Sequence, residues 1–178
     1  MKKEISHFIT ILWILLLAVP HLVFSQVAFP DWHQANVNWA EAGYDSLYYK
    51  AYDSATLAWG ETYNLQAFNL MYQTDQDTMW LHKLAKHGYG IMNSAKDSPP
   101  DTVVYNPMYD DGYLGWGTWR YSDEYEEYLV HDGHFCTELA KFVHTVYENE
   151  VLYTQFGQRA DSILHFIERN VAGKWYST

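Results

Sequence analysis

Residues 54–95 read SATLAWGETYNLQAFNLMYQTDQDTMWLHKLAKHGYGIMNSA, and they set two helical patterns on either side of one polar turn. Leu57, Glu61, Leu65, Phe68 and Tyr72 recur at spacings of three and four, with Ala58, Ala67 and Met71 filling the same side. That period predicts an amphipathic helix, with Ser54 as its N-cap and its end near Gln73. Thr74-Asp75-Gln76-Asp77 reads as a turn. A second helix is expected from Thr78 to Ala95, its apolar side carrying Leu81, Leu84, Ala85, Gly88, Ile91 and Met92. Two helices joined by so short a turn make an antiparallel αα-hairpin.

The same pattern returns further along the chain. Phe135, Leu139, Phe142, Val143 and Val146 form one face. After a Glu148-Asn149-Glu150 turn, Tyr153, Phe156, Ala160, Ile163, Leu164 and Ile167 form another, and Gly173 is the expected stop. The two hairpins align without gaps at an offset of 75 residues, pairing Phe68 with Val143, Met71 with Val146, Tyr72 with Tyr147, Leu81 with Phe156, Ala85 with Ala160 and Met92 with Ile167. Any two amphipathic hairpins align about this well. The placing of both turns in register points instead to a repeated unit. The fold class expected is all-α, with residues 54–178 as the helical-hairpin domain and residues 26–53 as an irregular lead-in, turning helical near Ala40.

Between the hairpins, residues 96–129 break the period with Pro99-Pro100, Asn106-Pro107, Gly112, Gly115 and Gly117. Val103-Val104-Tyr105 suggests a short strand. Long ordered loops are usually functional, and this one carries Tyr105, Tyr109, Tyr113, Trp116, Trp119 and Tyr121. Aromatic residues make up 18% of the chain, more than core packing ordinarily requires. Tyr and Trp offer an apolar face with a polar edge, which suits stacking on sugar rings.

At the N-terminus, Lys2-Lys3 precede an apolar run from Phe8 to Phe24 that closes on Val23-Phe24-Ser25. That is the layout of a secretory signal cleaved before Gln26. Pro20-His21 interrupt the run, which argues against an uncleaved anchor, since a spanning helix needs roughly 20 apolar residues. The chain is therefore expected to be exported, periplasmic or extracellular, with no membrane segment after cleavage. Its formal net charge is −11, and loss of residues 1–25 makes it slightly more acidic. Such a chain does not suit nucleic acid, whose phosphates require Lys and Arg. Cys136 is the only cysteine, so no internal disulfide is possible. It reads as a small buried residue, with a nucleophile beside His131 and His134 as the alternative.

Three segments resemble the six-hairpin (α/α) toroid superfamily of glycoside hydrolases, polysaccharide lyases and sugar epimerases. Leu57-Ala58-Trp59-Gly60-Glu61-Thr62-Tyr63 is similar to the opening of an inner helix. Met71 to Asp77, with Leu81-His82-Lys83-Leu84 and His87, is similar to a turn and outer helix, and Val130-His131-Asp132-Gly133 to the next inner helix. The likeness covers about residues 55–172. A closed toroid has about a dozen helices, and four strong ones are read here, so the resemblance implies an N-terminal part of an incomplete toroid. If the four are all there are, the expectation is an open helical array whose apolar flank needs a partner.

The resemblance also implies a cleft where inner helices begin, lined by residues 105–134 and the start of the first helix. Tyr113 and Trp59 then join the substrate-binding candidates. Trp116, Trp119 and Arg120 are the foremost of these, because flanking glycines let backbone approach a ligand and Arg120 can fork onto a uronate carboxylate; a loop pinned to the core by its aromatics is the alternative. His131 and Asp132 are the leading catalytic candidates, as a base near neutrality and its partner, although Asp132 also suits a helix cap. Glu61, on an apolar helix side, must be paired, be an acid of raised pKa, or sit at a solvated edge. Tyr121 completes the catalytic set. Asp110 and Asp111 read as turn residues. His82, His87, His144 and His165 read as structural residues on outer or exposed faces. His131 and His134 lack an evident third ligand, so neither metal nor cofactor is expected. Hydrolysis needs two carboxyl groups across a sugar bond, for which Glu61, Asp111 and Asp132 are candidates. Elimination or epimerisation of a uronic acid needs a base and a carboxylate neutraliser, for which His131, Tyr121 and Arg120 serve. The expected partner is a poly- or oligosaccharide, bound or turned over; a helical interaction scaffold is the remaining reading.

Overall fold

The computed structural model describes residues 34–35, 37–39, 48–97 and 111–177. The chain divides into two units, Met1–Tyr44 and Asp45–Thr178. In the first, residues 34–35 and 37–39 are helical, and Gln34 Nε2 donates to Asn38 Oδ1 one turn on. The signal segment, Val103-Val104-Tyr105 and Asp110 lie outside the described residues.

The second unit is mostly helical. Helix α1 comprises Ser54–Thr56, a π-helical stretch Leu57–Glu61 and Thr62–Asp75. Asp53, not Ser54, caps it, accepting from Thr56 N at 3.1 Å and Thr56 Oγ1 at 2.5 Å. The helix runs past Gln73 and stops where Gln76 turns left-handed at φ 59°, releasing its N–H to Tyr72 O. Asp77 then caps helix α2, Thr78–Ser94. Asp75 ties the turn together, accepting from Asp77 N and from Trp80 Nε1.

Strands β1 (Gly117–Thr118) and β2 (Glu126–Glu127) pair antiparallel, Gly117 opposite Glu127. Helix α3 is Leu129–Tyr147. Asn149 caps helix α4, which runs Glu150–Phe166, then π-helical Ile167–Ala172, then Gly173–Ser177. Gly173 therefore continues the helix that it was expected to end.

Each hairpin closes on itself, α1 also packs on α3, and α2 packs on α4. Leu65, Phe68, Met71, Leu81, Phe135, Phe142, Phe156 and Ile163 fill the space between them and are fully buried. Gly88 allows α2 and α4 to approach: a Cβ there would stand 2.9 Å from Ile163 and 3.0 Å from Leu139. Most of the residues paired by the 75-residue offset share a burial class, but the turns do not share a register. The offset carries Gln76-Asp77 onto Val151-Leu152, whereas the second turn is Glu148-Asn149. Nearly one helical turn separates the two, so the apolar faces still coincide. Among the described residues, no helix is long and apolar enough to cross a membrane.

Candidate functional site

The connector from Asp111 to Tyr128 divides at its ribbon. Its first half is fixed to the helices. Gly112 takes φ 81°, Leu114 N donates to Asn170 Oδ1, and Gly115 exchanges two backbone hydrogen bonds with Lys96. Trp116 is 1% exposed. Its indole N–H lies within reach of Ser94 Oγ (2.9 Å) and Ile91 O (3.2 Å), and its ring stands edge-on to Phe135. The face expected for a sugar is thus spent on the core, and the pinned-loop alternative is correct for Trp116. Gly117 lies against the Tyr125 ring, where a Cβ would come within 2.3 Å, and its N–H donates to Tyr125 Oη at 2.6 Å.

The second half opens outward. Trp119 is 52% exposed and Tyr121 53%. Arg120 Nη2 donates to Asp53 Oδ2 at 3.1 Å and Thr56 Oγ1 at 3.3 Å, tying the ribbon tip to the start of α1. Asp53, Thr118, Trp119 and Arg120 line a cavity of about 260 Å³. Beside it, Trp59 Nε1 donates to Tyr121 Oη at 2.9 Å. Trp59 also reaches His134 and His131, with ring centroids 4.9 and 5.9 Å away. His131 sits under this lid, between Tyr121 and Tyr128, with Nδ1 3.0 Å from Ser54 Oγ. Burial lowers its pKa, and His134 and Arg120 add to the effect against the pull of Asp53. A neutral ring steered by Ser54 is suited to accept a proton. For Asp53, burial raises the pKa, but hydrogen bonds from Thr118 and Thr56 and the Arg120 charge outweigh it, so the carboxyl stays ionised below the usual range. His134 also lines a wider groove of about 500 Å³ between α1 and α3, with Tyr63, Gln66 and Glu138.

No family model, curated protein or solved structure matches the chain.

The remaining expected site residues stand elsewhere. Neighbouring residues on a helix point about 100° apart, so Asp132 turns away from the rim that His131 faces. It is 1% exposed and accepts from Trp175 Nε1 at 2.9 Å, and burial pushes its carboxyl up to about 7. It does not cap α3, which starts at Leu129 after Tyr128. Glu61 is fully buried, 2.6 Å from His87 Nδ1 and accepting from Asn64. The solvated-edge reading of Glu61 is therefore wrong, and so is the outer-face reading of His87, which is itself fully buried. Tyr113 packs near Gly173. Asp111 does form a turn, accepting from Tyr113 N, and it also pairs with buried Lys174. Lys174 bonds Glu127 of β2 as well, and these two carboxylates outweigh burial to keep the ammonium charged. Burial, with Asp132 nearby, raises the Cys136 thiol well above its ordinary range, which leaves no thiolate nucleophile. No group of three His, Cys, Asp or Glu side chains is set to hold a metal among the described residues.

Sequence reasoning missed Asp53 and Thr56 as partners of Arg120 and Ser54 as the partner of His131. Local pattern placed them at a helix start but carried no sign of residues 120 and 131 arriving there.

Proposed function

We propose that the chain is an exported carbohydrate-active protein, part of an (α/α) toroid, whose rim binds an acidic polysaccharide and cleaves it by elimination at a uronate. One observation carries this reading: exposed Trp119 and Tyr121, the Arg120 guanidinium and neutral, Ser54-steered His131 share one rim at the starts of α1 and α3. Arg120 retains N–H groups for a substrate carboxylate beyond those spent on Asp53 and Thr56. His131 takes the proton from C5, a double bond forms between C4 and C5, and the C4–O bond breaks. Tyr121 O–H supplies the proton to the departing oxygen. Hydrolysis is the weaker case, because Glu61 and Asp132 are buried and Asp111 is paired with Lys174. Asp53 is the one carboxylate among the residues that line the cavity beside Arg120.

His131 is only 2% exposed, which favours a second reading, a non-catalytic glycan-binding rim. Turnover requires the Trp59–Tyr121 contact to part, at a cost of about 1 kcal/mol for one exposed hydrogen bond. The deciding experiment incubates the protein with polygalacturonate and alginate and follows the ultraviolet absorbance of the new double bond. Elimination predicts a rise that His131→Gln and Tyr121→Phe abolish while binding persists. Binding without any rise establishes the second reading, and neither binding nor product removes both.

A further inference from the structure

Helices α2 and α4 meet along a seam that carries two adjoining cavities. The first, about 330 Å³, is lined by His82, Ala85, Lys86, Tyr89 and Arg159. The second, about 450 Å³, includes Met92, Ser162, His165, Phe166 and Arg169. Neither is lined by an aspartate or glutamate, although the chain has 22 acidic residues against 11 Lys and Arg. Among the described residues, Lys86, Arg159 and Arg169 form no ion pair with a carboxylate. Three cations with no carboxylate partner among the described residues thus share one seam of so acidic a chain.

The guanidinium is also held in place. Arg159 Nη1 lies 3.3 Å from His82 Nδ1, and Arg can only donate, so Nδ1 is an acceptor. On the other side of the ring, Gln155 Nε2 stands 3.3 Å from His82 Nε2. The Phe156 ring lies tilted against the imidazole, with centroids 4.7 Å apart. Lys86 is steadied over the Tyr49 ring, 5.5 Å from its centroid. Along α4, Arg159 and Arg169 are about 15 Å apart at 1.5 Å per residue, a stride for an extended chain rather than for a single small ion. Tyr89 offers a ring between the two charged ends.

We propose that this seam is a second binding groove, which grips the carboxylate or sulfate groups of an acidic polysaccharide strand at a face that the rim residues do not line. The inference rests on the polysaccharide reading of the rim, and it adds a site that anchors long chains without touching the bond that reacts. The test titrates the full chain, wild type and variants, with polygalacturonate, with neutral dextran and with polyglutamate, at low and high salt. Lys86→Gln combined with Arg159→Gln is expected to weaken polygalacturonate binding about tenfold or more, the loss of two charge-assisted contacts. Dextran should not bind the seam, and added salt should weaken the wild type towards the variant. Arg120→Gln separates the two sites. If Arg120→Gln removes polygalacturonate binding and the double variant binds as wild type does, the seam is not a site and the rim reading stands. If only the double variant loses affinity, the seam stands and the rim reading fails. No wild-type binding to polygalacturonate, or tighter binding to polyglutamate, overturns the inference.

Discussion

Trp116 and Trp119 stand three residues apart on one connector and have opposite fates. Trp116 is sealed beneath α2 and α3, and its N–H is satisfied by α2. Trp119 rests one edge on Tyr125 and leaves half its surface to solvent. The difference comes from the ribbon. Gly117–Thr118 pair with Glu126–Glu127, so residues 111–116 are held against the helices while Trp119 and Tyr121 project from the tip. Aromatic richness therefore marks neither core nor site. What separates the two tryptophans is whether the backbone around them is held by the helices.

The largest effect should come from breaking the anchored half. Trp116→Ala removes a buried indole and leaves a cavity, and should cost about 3–5 kcal/mol in chemical denaturation. Trp119→Ala should fall within about 1 kcal/mol of wild type in the same assay. Equal losses would erase the distinction.

Lys174→Met comes next. It leaves Glu127 and Asp111 without their buried cation, and about 3 kcal/mol should be lost, since removing one partner strands the others. Because Glu127 belongs to β2, the ribbon should loosen, seen as faster hydrogen exchange at Gly117 and Thr118.

Asp132 adds a pH signature. Its pKa is raised on folding from the ordinary carboxylate range to about 7, so the folded state holds the proton more tightly than the unfolded chain does. Its contribution to stability is full below the unfolded pKa and is lost as pH rises towards about 7. Asp132→Asn should flatten that decline in denaturation midpoints across this window. An unchanged slope would place the titration elsewhere.

Arg120→Gln is the smallest change in stability. Its pair with Asp53 is exposed, so at most about 1 kcal/mol is at stake. The effect belongs in affinity for a uronate. His131 sharpens the same half of the comparison: with its pKa lowered, its ring stays neutral below the ordinary imidazole range. On the elimination reading, the acid limb of kcat/KM should accordingly lie below that range.

The helices were legible because their periods are long and regular, and Asp75-Gln76-Asp77 announced the first turn. The start of α3 was not, because Leu129 and Val130 are apolar yet 55% exposed and contribute to no face. With that start misplaced, Asp132 passed for a cap when it lies inside the first turn, partnered by Trp175 far along the chain. Arg120, Trp119 and His131 were found by residue type. Their meeting with Asp53 and Ser54 depends on contacts across more than sixty residues, which no local pattern encodes.

The central claim is that the open half of the connector holds the ligand. Tryptophan fluorescence during titration with a trigalacturonide tests it most directly. The account predicts a saturable change in wild type that Trp116→Phe retains and Trp119→Ala and Arg120→Gln lose. A wild-type titration curve in both Trp119→Ala and Arg120→Gln would contradict it.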